Sequence, residues 1–170
     1  PLARFQQHFA VFATLPSPSA AGCATPATAS VSTFAVETFL VTRALLPNLR
    51  LAAKSHGIAT VAQVSSFLDS LGCNTSETEQ FFGHAYAYAT SKATLNVVTR
   101  LLSVGLRDSN IVFVTLNPGY VDTDMNDHKG TSSPPESAES IVNIVTNLSM
   151  KDTGSSITPA SSSETSSCRA

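Results

Sequence analysis

The chain has 170 residues, 42% of them hydrophobic, enough to bury one core of ordinary size. A formal net charge of -2, with no basic run and no alternation of basic and aromatic residues, excludes the electrostatic footprint of a nucleic-acid binder. No apolar stretch approaches the ~20 residues of a membrane-spanning helix, and three cysteines without CxxC spacing (Cys23, Cys73, Cys168) read as unpaired thiols in a reducing, cytoplasmic setting.

The chain opens on Pro1 rather than Met, which suggests a processed, trimmed or incomplete product. Residues 1–33 are poor in acid and rich in Ala, Ser, Thr and Pro, with Pro16, Pro18 and Pro26 among them. Such a composition buries little apolar area and is expected to be irregular or disordered. From Phe34 to Leu46 apolar residues recur at three-four spacing, predicting a helix that Pro47 limits. Residues 58–64 are short, rich in β-branched residues and preceded by His56-Gly57, which predicts a buried strand ending at Ser65 and Ser66. A polar loop is expected over 69–84. Helical periodicity returns from Ala85 to Leu106, with Leu95, Val98 and Leu102 on one stripe. Ile111 to Leu116 is a nearly continuous apolar run, as a parallel strand covered on both faces requires. Asn117-Pro118-Gly119 breaks it, a further helix starts near Pro135-Glu136, and residues 159–170 form a Ser-rich tail. Strands alternating with helices predict an α/β domain with a parallel sheet over 34–158.

The segment richest in chemistry is Tyr88-Ala89-Thr90-Ser91-Lys92. Residues four apart on a helix share one face, so a phenol and an ammonium stand one turn from each other. A nearby ammonium favours the phenolate, which is expected to bring a side chain of free pKa about 10 closer to neutrality. Ser66, at the end of the preceding strand, offers a hydroxyl to the same place. His8, His56, His84 and His128 have no metal-ligand spacing with one another or with the cysteines, and no metal site is expected. Asp122 and Asp124 read as a solvated turn or helix cap.

With this Tyr-x-x-x-Lys and its upstream serine, the chain resembles the short-chain dehydrogenase/reductase family, in the subgroup related to the C-factor and sniffer carbonyl reductases. Ser91-Lys92-Ala93-Thr94-Leu95-Asn96 follows the family pattern after the lysine. Asn117-Pro118-Gly119-Tyr120-Val121-Asp122-Thr123-Asp124-Met125 matches its Pro-Gly loop, and Arg43-Ala44-Leu45-Leu46-Pro47, Val64 to Leu71 and Asp152-Thr153-Gly154 resemble flanking blocks. The resemblance implies a Rossmann-like, doubly wound parallel sheet, here without its first strands. It implies NADP or NAD as cofactor and a small carbonyl or alcohol as substrate. Tyr88 would be the proton donor, Ser66 would hydrogen-bond the carbonyl oxygen, and Lys92 would tune the tyrosine and hold the nicotinamide ribose. Pro118, Gly119, Val121 and Thr123 would lie on the nicotinamide side. A homodimer through helices 34–50 and 86–106 is also implied.

Three features depart from the family. Neither Gly-x-x-x-Gly-x-Gly nor GxGxxG occurs among the eight glycines, so the turn that seats a cofactor pyrophosphate has no counterpart in the sequence. Val36-Glu37-Thr38 offers a glutamate where the family carries an asparagine in a proton relay. Glu77-Thr78-Glu79-Gln80-Phe81-Phe82 lengthens the segment between Ser66 and Tyr88. Two readings follow: an oxidoreductase of the short-chain type, or a catalytically silent, truncated relative that serves as a binding or dimerisation partner or is an incomplete gene product.

Overall fold

The two β-branched runs form the centre of the sheet. In a computed structural model, which describes residues 10–12, 35–79 and 85–159, β2 (Ala59–Val64) and β3 (Ile111–Leu116) pair in parallel from Ala59 opposite Ile111 to Val64 opposite Leu116. Every residue of β3 is buried, because helices cover both faces. On one face Ala59, Val61, Ile111 and Phe113 pack with Leu49 and Ala53 of α1 (Glu37–His56) and with Leu102 of α2 (Tyr86–Gly105). On the other, Ala62, Val112, Val114 and Leu116 pack with Ile141, Ile144 and Val145 of α3 (Pro134–Asn147). Alternate residues of one strand feeding two helical layers is the doubly wound, Rossmann-like arrangement expected from the sequence.

Two short strands complete the sheet in the order β1-β2-β3-β4, all parallel. β4 (Ser156–Ile157) follows Gly154, whose N–H donates to the Phe113 carbonyl at 2.7 Å. β1 (Ala10–Phe12) pairs with Thr60 to Ala62 of β2. It lies inside the stretch expected to be irregular, where a strand of three residues is too short to carry a readable period. The rest of residues 1–33, the Ser-rich tail from 160, and residues 80–84, which include Gln80, Phe81 and Phe82 of the expected insertion, lie outside the described residues.

α1 runs past Pro47, which was expected to limit it. An internal proline removes one backbone donor and crowds the preceding turn, at about 3 kcal/mol. Leu49 and Ala53, both beyond it, are buried in the core; full burial of a leucine contributes about 1.5–3 kcal/mol. Continuing the helix to seat them outweighs the local defect. α1 ends at Gly57, whose φ of 86° suits a residue without Cβ. A buried polar strut ties the layers: Gln63 of β2 donates through Nε2 to Thr42 Oγ1 of α1 at 3.2 Å and accepts from Thr99 Oγ1 of α2.

The expectation of three free thiols is corrected at Cys73, which is buried and disulfide-bonded. No helix among the described residues is long and apolar enough to cross a membrane.

Candidate active site

The sheet brings two loops to one edge. Because β2 and β3 are parallel and in register at Val64 and Leu116, the residues that follow each strand leave on the same side. The Ser65 N–H donates to the Leu116 carbonyl at 2.7 Å, locking the two exits together. Ser66 then caps a 3-10 turn over Phe67–Asp69, its Oγ accepting from the Leu68 N–H at 3.3 Å. With its lone pairs so engaged, the Ser66 hydroxyl proton can point elsewhere, and it hydrogen-bonds the Tyr88 phenol.

α2 supplies the other two members. Its buried face carries Ser91, Lys92, Leu95, Thr99 and Ser103, so the lysine is drawn against the sheet by the same periodicity that buries Leu95. Lys92 Nζ donates to the Val64 carbonyl at 2.8 Å, at the last residue of β2, and lies 5.6 Å from the centroid of the Tyr88 ring. Ser66, Tyr88 and Lys92 are therefore assembled at the C-terminal end of β2, although the insertion separates the first two in sequence.

Their electrostatics differ from the sequence expectation. Burial pushes Tyr88 above its ordinary value, the Ser66 hydrogen bond opposes that shift, and the negative charge of Asp69 adds to it. The phenol is not brought toward neutrality as expected, because desolvation outweighs the influences that favour the phenolate. Burial also lowers Lys92 to about 8, opposed by the attraction of Asp69. Asp69 is the residue that sequence reasoning passed over. Its Oδ2 accepts from Ser65 Oγ at 2.7 Å, which fixes a carboxylate beside the triad. A turn residue four places after a serine carries no distinctive sequence signal. Glu37, offered in place of the relay asparagine, is exposed in the first turn of α1.

The Pro-Gly loop leaves β3 at the same edge. The Asn117 N–H donates to the Ile157 carbonyl at 2.9 Å, and Asn117 Oδ1 accepts from the Gly119 N–H at 3.1 Å. Gly119 has a φ of 82°, a conformation that favours glycine and leaves its backbone unshielded by a side chain. The Pro118 carbonyl accepts from Ser137 Oγ of α3 at 2.8 Å. Val121 bridges to Ser132 as an isolated parallel pair, and Thr123 caps the 3-10 turn Asp124–Asn126. No group of three or more His, Cys, Asp or Glu side chains among the described residues is placed to hold a metal ion.

A strand-end serine, a helix Tyr-x-x-x-Lys and a Pro-Gly loop at one sheet edge form a recognisable constellation, and residues 24–133 match a family model described as short chain dehydrogenase. The chain belongs to that family. It is 39% identical over 114 residues to the C-signal protein of Myxococcus xanthus, covering 67% of this chain and 63% of that protein. Among solved structures it is similar to the carbonyl reductase Sniffer of D. melanogaster, with 32% identity and a TM-score of 0.75, covering 88% of this chain and 62% of that one. It is also similar to an NADPH-bound carbonyl reductase from chicken fatty liver, with 30% identity and a TM-score of 0.69, covering 78% of this chain and 54% of that one. The chain thus spans less than two thirds of the length of each of these relatives.

A nicotinamide group fits the residues on the described edge. The Lys92 amine stands at the C-terminal end of β2, where it donates to the Val64 carbonyl, and Gly119 leaves backbone unshielded by a side chain beside a flat ring. The pyrophosphate half finds no glycine-rich turn in the sequence.

Proposed function

We propose that this chain carries the catalytic half of an NAD(P)-dependent short-chain oxidoreductase, which reduces a small carbonyl or oxidises the matching alcohol. The observation that carries the reading is the contact of Ser66 with Tyr88 beside the buried amine of Lys92. A bound nicotinamide cofactor supplies or accepts the hydride. The remaining chemistry belongs to the protein. Tyr88, held above its ordinary value by burial, keeps its proton at neutral pH and can give it to a carbonyl oxygen as negative charge develops there. Ser66 donates to the same oxygen and opposes that charge, as an oxyanion donor does. Lys92, whose amine stands at the end of β2 beside Tyr88, is the cation that would hold a ribose hydroxyl. Pro118, Gly119, Val121 and Thr123 form the wall on the nicotinamide side, and NADP is favoured as the form bound by the chicken carbonyl reductase.

The test is fluorescence titration of the full chain with NADPH, followed by turnover of small aldehydes and ketones. Binding in the micromolar to millimolar range is expected, with Tyr88→Phe retaining it while losing turnover by a factor of about 100 or more, the usual contribution of a positioned acid. A flat titration up to millimolar cofactor overturns the catalytic reading. The aliphatic side chains of Val97, Leu101 and Val104 exposed on α2 favour a second reading, in which the chain acts as a silent partner of a complete relative. A flat titration together with association through α1 and α2 is its signature.

A further inference from the structure

In the loop proposed to face nicotinamide, one histidine meets two carboxylates. Asp122 and Asp124 flank Thr123, and both carboxylates meet the His128 ring. His128 Nδ1 lies 2.7 Å from Asp122 Oδ1 and Nε2 lies 2.9 Å from Asp124 Oδ1. A neutral imidazole has one N–H and a carboxylate offers none, so both short contacts are satisfied together only by the imidazolium. The backbone repeats the closure: the Thr123 carbonyl accepts from the His128 N–H at 3.1 Å, and the Thr123 N–H donates to Asn126 Oδ1 at 3.2 Å. Asp127 and His128 both adopt left-handed backbone, with φ of 53° and 58°. Such angles are uncommon outside glycine and persist where other contacts hold them. Gly130 completes the fold-back, since a Cβ there would stand 2.0 Å from the Asp122 backbone nitrogen.

We propose that His128 is a positioning residue, an ionic clasp across Thr123 that holds the loop of residues 119–132 in its ligand-ready shape while protonated. The proposal rests on the nicotinamide reading only for its consequence at the cofactor. Among the described residues the charged groups acting on the ring are Asp122 and Asp124; both raise its pKa, the Asp122 hydrogen bond most. The adjacent Asp127 and Lys129 face each other, with Lys129 Nζ 3.4 Å from Asp127 Oδ2. The sign follows. A histidine raised above 6.5 by its partners keeps the clasp fully formed below that value and loses it as pH rises through the raised one. Exposed pairs of this kind are individually modest, so the expected change is about threefold.

The experiment follows the histidine ring and the Val121 and Thr123 amide signals of the isotope-labelled full chain by NMR from pH 5.5 to 8.5. NADPH titrations are run at both ends. The His128 signal, assigned by its disappearance in His128→Gln, is expected to titrate above the ordinary range, with the Val121 and Thr123 amides moving in the same transition. That coupled transition is absent in His128→Gln and shifted down in Asp124→Asn. NADPH affinity weakens about threefold across it in the wild-type chain and stays flat in His128→Gln. A His128 ring that titrates at its ordinary value, with the two amides indifferent to it, overturns the clasp. Coupled amides without any NADPH binding leave the clasp standing and count against the nicotinamide reading instead.

Discussion

Lys92 keeps an ammonium in a place that favours the neutral amine, and the cost is measurable. Unfolded, it holds its proton to about pH 10.5; folded, to about 8. Between these values the unfolded chain binds more protons, so stability rises with pH. Below about 8 both states are protonated and the whole burial penalty remains. Tyr88 acts in the opposite sense, but only above its free value of 10.0, where the unfolded phenol ionises first. Unfolding by urea is therefore expected to show stability increasing from pH 8 to pH 10, by less than about 3 kcal/mol at 1.36 kcal/mol per unit. Lys92→Met is expected to abolish that slope. At pH 7 it is also expected to raise stability by about 1–2 kcal/mol, because an apolar chain of similar length replaces a buried charge. A decrease at pH 7 would show that the hydrogen bond to Val64 outweighs desolvation. The same substitution removes the proposed ribose donor, so stability gained and cofactor binding lost should appear together.

At the scale of elements, the Gln63 strut and the Gly130 fold-back make contrasting predictions. Gln63→Ala opens a cavity between α1, β2 and α2, yet Thr42 Oγ1 still donates to the Thr38 carbonyl and Thr99 Oγ1 to the Leu95 carbonyl. With those hydroxyls satisfied, the loss is expected to be about 2–3 kcal/mol in urea unfolding, cavity and amide bonds together. Gly130→Ala should leave that midpoint nearly unchanged, since the loop lies outside the core. It is expected to speed proteolytic cleavage between residues 119 and 132, because the added methyl and the Asp122 backbone cannot share one place. The same contrast explains what the sequence disclosed. β2, β3 and α2 were legible because burial imposes a period on their side chains. Ser66, Tyr88 and Lys92 were legible because they sit at the ends and faces of those elements. Pro47 misled, since a local helix penalty was weighed without Leu49 and Ala53 beyond it. β1 and β4 are too short to carry a period. Asp69 and the His128 clasp depend on turn geometry that no spacing announces. The direction of the Tyr88 shift depends on burial, which is not written in Tyr-x-x-x-Lys.

At the scale of the whole molecule, the outer faces of α1 and α2 present large aliphatic side chains to solvent. Each helix has 20 residues, about 30 Å of length. Leu40, Val41 and Leu51 of α1 and Val97, Leu101 and Val104 of α2 are exposed on them. Val97, Leu101 and Val104 recur at four and three residues, so they form one stripe on the side of α2 opposite Leu95 and Thr99. A stripe of large aliphatic side chains on water is a liability for a monomer. Two copies packed α1 on α1 and α2 on α2 would bury it in a two-fold interface, for which stable examples remove about 1,200–2,000 Å² in total. We propose that the chain pairs with itself in this way. Sedimentation of the full chain at micromolar concentration is expected to give a dimer. Val97→Asp combined with Leu101→Asp is expected to give a monomer, since it would set four carboxylates into that seam while leaving Leu95 and the Tyr88–Lys92 face untouched. A wild-type chain that sediments as a monomer would remove the interface, and the aliphatic stripe would then call for a different partner. If the double variant is monomeric yet binds NADPH as the wild type does, association and cofactor binding reside on opposite faces of α2.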